Sequence, residues 1–80
     1  MLPLSQFKRL DVRDILQQGV EPFPEIRKRV DALKTNEGLI IVAPFLPSPL
    51  IEKLKSEGFS SKIEHGTGAE WIVYFWRESP

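Results

Sequence analysis

The sequence predicts an α/β two-layer sandwich of β-α-β-α-β-β order, with a small mixed sheet and both helices on one face. Three observations carry this. Two Pro-x-Pro segments, Pro22-Phe23-Pro24 and Pro47-Ser48-Pro49, each open an apolar stripe of helical spacing. Between the two stripes lies Leu39-Ile40-Ile41-Val42-Ala43, an unbroken and mostly β-branched run suited to a buried central strand. The chain then closes on Trp71-Ile72-Val73-Tyr74-Phe75-Trp76, its strongest strand signal. A strand-helix-strand unit needs a right-handed crossover. Two crossovers from one small sheet can place both helices on the same face and leave the other face open.

In chain order, residues 1–9 read as an N-terminal tail, with Leu2, Leu4 and Phe7 able to pin it to the body. Residues 10–77 read as the single domain and 78–80 as a polar C-terminal tail. Leu10-Asp11-Val12-Arg13 alternates apolar and charged residues, as a half-buried strand does. Asp14 to Val20 reads as a loop with room for a helical turn. The first helix is expected to begin near Glu21 or Pro22 and run to about Lys34. Proline is tolerated in a first turn, where its missing N–H has no intrahelical partner. Phe23, Ile26, Val30 and Leu33 form one stripe. Thr35-Asn36-Glu37-Gly38 ends the helix, with Asn36 or Gly38 able to turn left-handed.

Pro44 ends the central strand. The second helix begins around Pro47 to Pro49 and carries Leu50, Ile51 and Leu54 inward. Ser56-Glu57-Gly58-Phe59 reads as its C-terminal cap, Gly58 left-handed and Phe59 folding back on the last turn. Ser60 to His65 is a weaker strand anchored by Ile63. Gly66-Thr67-Gly68-Ala69 is a hairpin turn into the last strand.

With 80 residues, one small domain is expected, burying about 60% of its unfolded surface. Lys plus Arg total 11 and Asp plus Glu total 11, so no broad positive field favours nucleic acid. The chain has no Cys, which excludes thiol nucleophiles, persulfides, thiolate metal sites and disulfides. No apolar run approaches the roughly 20 residues of a membrane span, and no signal-peptide core follows the N-terminus. The expected location is the cytoplasm.

Leu10-Asp11-Val12-Arg13, the Pro-x-Pro helix start, Gly38-Leu39-Ile40-Ile41-Val42, the Ser56-Glu57-Gly58-Phe59 cap and the closing Trp-rich strand together resemble the TusA/SirA-like superfamily. The nearest branch in pattern is an uncharacterised bacterial domain of unknown function. The resemblance spans about Leu10 to Arg77. In the TusA-like carriers a Cys-Pro-x-Pro motif opens the first helix, and its Cys bears sulfur as a thiolate favoured by the helix N-terminus. Here the motif reads Glu21-Pro22-Phe23-Pro24, so Glu21 stands at the Cys position and the preceding loop is longer. The branch often carries Asp and His after its second strand. Here that region is Ala43-Pro44-Phe45-Leu46-Pro47, with no ionisable group. Neither chemistry carries over.

Each candidate residue has a plainer reading beside the functional one. Glu21 is a functional carboxylate at the helix mouth or a capping residue contributing about 0.3–1 kcal/mol. Pro22 and Pro24 remove two N–H groups that a phosphate would use. Arg27-Lys28-Arg29 is a basic run, but consecutive helical residues point in different directions, and Glu25 and Asp31 offset it. His65 is a lone histidine, a poor metal signal. In the last strand, Trp71, Val73 and Phe75 share the core-side face, while Ile72, Tyr74 and Trp76 share the other. A two-layer sandwich hides only one set. The second set is therefore either a contact surface or a strip covered by the N-terminal tail.

The leading expectation is a non-catalytic protein-interaction module that keeps a sulfur-carrier-like docking shape without the thiol. Its candidate contacts are Glu21, Phe23 and Arg27 at the first-helix mouth, or Ile72, Tyr74 and Trp76 on the open sheet face. A homodimer through that face is one form such contact takes. No cofactor, metal or catalytic set is expected, because no Ser-His-acid spacing or phosphate loop is present. Two alternatives stand beside it: RNA binding through Arg27, Lys28, Arg29 and Lys34, and a small-ligand or redox-accessory role using His65 or Glu21.

Overall fold

The computed structural model describes residues 2–77. A 3-10 turn over Leu4–Gln6 leads into β1 (Phe7–Asp11), followed by a short helix α1 (Arg13–Gln17). Then come α2 (Phe23–Asp31), β2 (Gly38–Ala43), α3 (Ser48–Ser56), β3 (Ser60–His65) and β4 (Trp71–Trp76). The four strands form one mixed sheet of order β1-β2-β4-β3. β1 and β2 are parallel, β4 runs antiparallel to β2, and β3 is antiparallel to β4. The expected two-layer α/β sandwich is the observed one. Among the described residues no helix is long and apolar enough to cross a membrane.

Strand alternation sorts the sheet into two faces. Leu10, Leu39, Ile41, Ala43, Val73 and Phe75 point one way and form the core with Ile26 and Val30 of α2 and Leu50 and Leu54 of α3. Both longer helices therefore pack on one face. Ile15 and Leu16 of α1, Leu33 and Ile51 border this core. β2 and β4 lie in the middle of the sheet and supply four of its most completely buried side chains, Leu39, Ile41, Val73 and Phe75.

The end of α3 is the expected cap, with Gly58 left-handed and Phe59 folded back. Gly58 adopts φ +92°. Its N–H donates to the Lys55 carbonyl at 3.0 Å, and the Phe59 N–H donates to the Leu54 carbonyl at 3.0 Å. This double bond pattern satisfies the last carbonyls of the helix, and the accompanying Phe59–Leu54 burial seals the turn.

Three boundaries differ from the expectation. β1 begins at Phe7, inside the stretch read as tail, because the parallel ladder with β2 extends to the Phe7–Gly38 pair. It also ends before Arg13. The Asp11 carboxylate accepts the Arg13 N–H at 3.0 Å and both Nε and Nη2 of its guanidinium, at 2.9 and 2.6 Å, which turns the chain into α1. The Leu-Asp-Val-Arg stretch is thus half core and half clamp. Finally, α2 stops at Asp31 and not near Lys34. The Lys34 N–H is taken by the Glu37 carboxylate at 2.8 Å and the Glu37 N–H returns to the Lys34 carbonyl at 3.0 Å. Asn36 holds the left-handed turn at φ 71°.

Candidate functional site

The two Pro-x-Pro segments, separated in sequence, face each other in space. Between them lies a cleft of about 180 Å³. Its floor is Val12, just past β1, with Ile41 and Ala43 at the end of β2. One wall is Glu21, Pro22, Phe23 and Ile26 at the start of α2; the other is Phe45, Pro47, Pro49 and Leu50 at the start of α3. The cleft therefore sits outside the carboxyl ends of the two parallel strands, the usual place for a binding crevice in open α/β sheets.

Its lining is apolar except for Glu21. The prolines explain much of this, since they strip amides from both helix mouths. At α2 the Phe23 N–H donates to Glu21 Oε1 at 3.3 Å, Pro24 has no N–H, and the Ile26 N–H returns to the Pro22 carbonyl at 3.0 Å. At α3 the Ser48 N–H donates to the Leu46 carbonyl at 2.9 Å and Ile51 to Pro47 at 3.0 Å. Neither mouth presents the fan of free amides that cradles a phosphate. The place where the resemblance puts a sulfur-bearing Cys carries a carboxylate that caps its own helix.

The apolar character spills onto the rim. Six large hydrophobic side chains stand exposed among the described residues: Leu4, Val20, Phe23, Phe45, Leu46 and Ile63. Two of these, Phe23 and Phe45, line the cleft, and Val20 and Leu46 lie beside its walls in sequence. Phe45 is 49% exposed and Phe23 39% exposed. Phe23 thus leaves the buried stripe that its spacing with Ile26 predicts and lines the cleft instead. Contiguous exposed apolar surface on a small domain is costly in water and marks contact sites.

Arg27, a neighbour of this mouth in sequence, is engaged elsewhere. Its Nη1 meets Glu57 Oε2 at 2.8 Å and its Nη2 meets Asp31 Oδ1 at 2.7 Å, tying α2 to the end of α3. The hydrogen bonds it donates, first to Glu57 and then to Asp31, hold its guanidinium well above the usual arginine range, and the Glu57 contact in turn lowers that carboxyl. Arg29 pairs with Glu25 at 3.7 Å.

On the opposite sheet face, Ile72, Tyr74 and Trp76 do lie together, as strand alternation requires. Phe7 packs edge-on against Tyr74 at 5.5 Å and Trp76 at 6.3 Å between ring centres. Trp76 is only 8% exposed, and Ile72 and Tyr74 are half-buried. The Tyr74 hydroxyl donates to Glu64 Oε1 at 3.0 Å. Burial, then this hydrogen bond, raises the phenol above its ordinary range. Gly38 makes the arrangement possible. A Cβ there would run into the Phe7 ring and lie 2.8 Å from the Phe75 carbonyl oxygen. Of the tail residues read as a cover, Phe7 takes that role and Leu4 stays in solvent.

His65 packs against Trp71 with the rings tilted by 46° and their centres 3.7 Å apart. Among the described residues no three His, Asp or Glu side chains gather as a metal-holding group. The residues that sequence reasoning missed are Phe45 and Leu46. The signal was present: two bulky apolar residues between Pro44 and Pro47, in a loop with no charged partner.

The fold and the cleft together define a small α/β sandwich with an apolar crevice between two proline-opened helices. Residues 9–77 match the family described as uncharacterized conserved protein (DUF2249), and the chain belongs to that family. No curated protein and no solved structure matches it.

Proposed function

We propose that the chain is a non-catalytic protein-interaction module that receives an apolar side chain of a partner in the cleft between α2 and α3. The observation that carries this reading is the pair of exposed aromatic side chains, Phe23 and Phe45, that line an apolar crevice from its two walls. Size favours a partner's side chain over a free metabolite. The cleft holds about 180 Å³, whereas small-molecule pockets run to about 300–1,000 Å³. On this reading the domain keeps the docking position of the TusA-like carriers it resembles, with Glu21 in place of their thiol. Location at the helix mouth is preferred to the open sheet face because Phe7 already covers much of the aromatic strip there. Binding of RNA is disfavoured by the ion pairs that engage Arg27 and Arg29.

The test is site-specific photo-crosslinking in the native cell. Benzoylphenylalanine at Phe45 should give discrete protein adducts that Phe23→Glu removes, while the same probe at Thr35, exposed in the turn before β2 at the opposite end of the sheet, gives none of them. Identical adducts at both positions, or adducts indifferent to Phe23→Glu, overturn the proposal.

A further inference from the structure

The sheet has two edges, and their chemistry differs. β1 is one edge and β3 the other; among the described residues no strand pairs with the outer side of either. Natural edges are blunted by proline, bulges or charges that repel a second strand. β3 has neither of the first two, and its charges are of both signs. Its pairing with β4 runs unbroken from Ser60–Trp76 to His65–Trp71, so there is no bulge, and it contains no proline. Lys62 is its one cation, and that charge is matched within the strand by Glu64, 3.3 Å away. Ile63 lies between them and is 46% exposed, the most apolar residue of the strand turned to solvent.

We propose that β3 pairs antiparallel with β3 of a second copy of this chain, about a twofold axis through Ile63, so that two four-stranded sheets join into one of eight strands. The register follows from charge. In an antiparallel pair, opposite residues share a face, and opposite charges across the strands stabilise while like charges destabilise. A twofold axis through Ile63 sets Lys62 opposite Glu64 of the second copy, twice, and joins the two intrastrand pairs into one alternating four-charge array on the open face. On the helix side it brings the two Ile63 side chains together and shelters both from water. An axis through Lys62 or through Glu64 would oppose like charges at its centre. The same operation at the other edge fails: an axis through Arg9, the middle of β1, opposes Arg9 with itself beside Lys8. Because equal residue numbers on the two copies share parity, the outward-facing amides of one β3 meet those of the other. None of the cleft-lining residues belongs to β3, so the assembly leaves both clefts open and does not depend on the role proposed for them.

The experiment is sedimentation equilibrium of the purified chain over a concentration series, with far-UV circular dichroism as the control for folding. A reversible dimer is expected. I63K places a cation at the symmetry centre and should leave a folded monomer. K62E and E64K each set like charges opposite and should each weaken the dimer by about tenfold or more. The double variant K62E/E64K exchanges the charges and should restore dimerisation. A wild-type chain that stays monomeric up to about 1 mM overturns the proposal. So does a dimer that I63K leaves intact, as association through the open face would be, since Ile63 points to the opposite side. Failure of the charge-swapped double variant to recover while it remains folded overturns the register.

Discussion

Arg27 of α2 and Glu57 at the end of α3, 30 residues apart, meet at 2.8 Å and link the two helices outside their shared core. Glu57 caps a helix C-terminus, where the helix dipole disfavours negative charge. The pair is therefore unequal. Arg27→Met leaves an anion against a helix end with Lys53, at 3.8 Å, as its one remaining ion-pair partner among the described residues. Glu57→Gln removes that anion. The expected result is a larger fall in Tm for Arg27→Met than for Glu57→Gln, and a double variant no less stable than Arg27→Met alone. A double-mutant cycle by thermal denaturation reads this directly. Both side chains are partly solvated, so the difference should shrink in high salt.

Acid should act through the same contact and through Asp11. The Arg27 hydrogen bond lowers Glu57, and the Arg13 side-chain hydrogen bond lowers Asp11. A carboxyl whose folded pKa lies below its unfolded value contributes stability above that unfolded value, near pH 4. That contribution disappears as pH falls through the depressed folded value. Urea midpoints should be flat through neutral pH and drop below about pH 4. In Arg27→Met the part of the drop due to Glu57 should be missing. An unchanged acid profile in that variant would remove Glu57 from the account.

Gly58 isolates backbone conformation from packing. Its φ is +92°, and a Cβ at this position would meet nothing within 4 Å. Gly58→Ala should therefore cost about 1 kcal/mol, from left-handed strain alone. Gly38→Ala should cost more, about 1–3 kcal/mol, because the added methyl meets an aromatic ring and a backbone carbonyl. Chemical denaturation of the two variants side by side checks the order.

Phe7 shields Trp76, and this has an optical readout. In a Trp71→Phe background, Trp76 is the single tryptophan and can be excited selectively over Tyr74. Phe7→Ser should shift its emission to longer wavelength and make it accessible to iodide, with β2 and β4 still paired. Emission unchanged by Phe7→Ser would mean that other groups keep Trp76 dry.

Much of the fold was legible because its signals are local. The unbroken Leu39–Ala43 run, the Gly58-Phe59 cap and the Trp71–Trp76 alternation each depend on residues within one element, and each appears, except that Trp71 stays half-buried outside the core that Val73 and Phe75 enter. The boundaries of β1 and α2 were not, since side chains decide them: Asp11 capturing the Arg13 amide and Glu37 capturing that of Lys34. The site was half legible. Glu21 and Phe23 were visible as a helix mouth, but the cleft needs Phe45 and Pro47 from a loop more than twenty residues later, and only the packing of α2 beside α3 brings them opposite. Arg27 read as a surface cation because its partner Glu57 is equally remote. The aromatic strip read as exposed or covered with no means of choosing, since the choice rests on Gly38 making room for Phe7.

The strand order has a consequence for how the domain is born. β4 is last in sequence and lies between β2 and β3 in the sheet, so β3 has no strand to join until β4 arrives. On the ribosome, the first three strands emerge without a way to close their sheet, and Leu39, Ile41 and Phe59 wait in a chain that lacks Val73 and Phe75. Cooperative folding of this unit should therefore wait until Trp71–Trp76 clears the exit tunnel. Non-local pairings of this kind form late. A nascent chain stalled just short of that point should remain protease-sensitive, and one released a few residues beyond it should not.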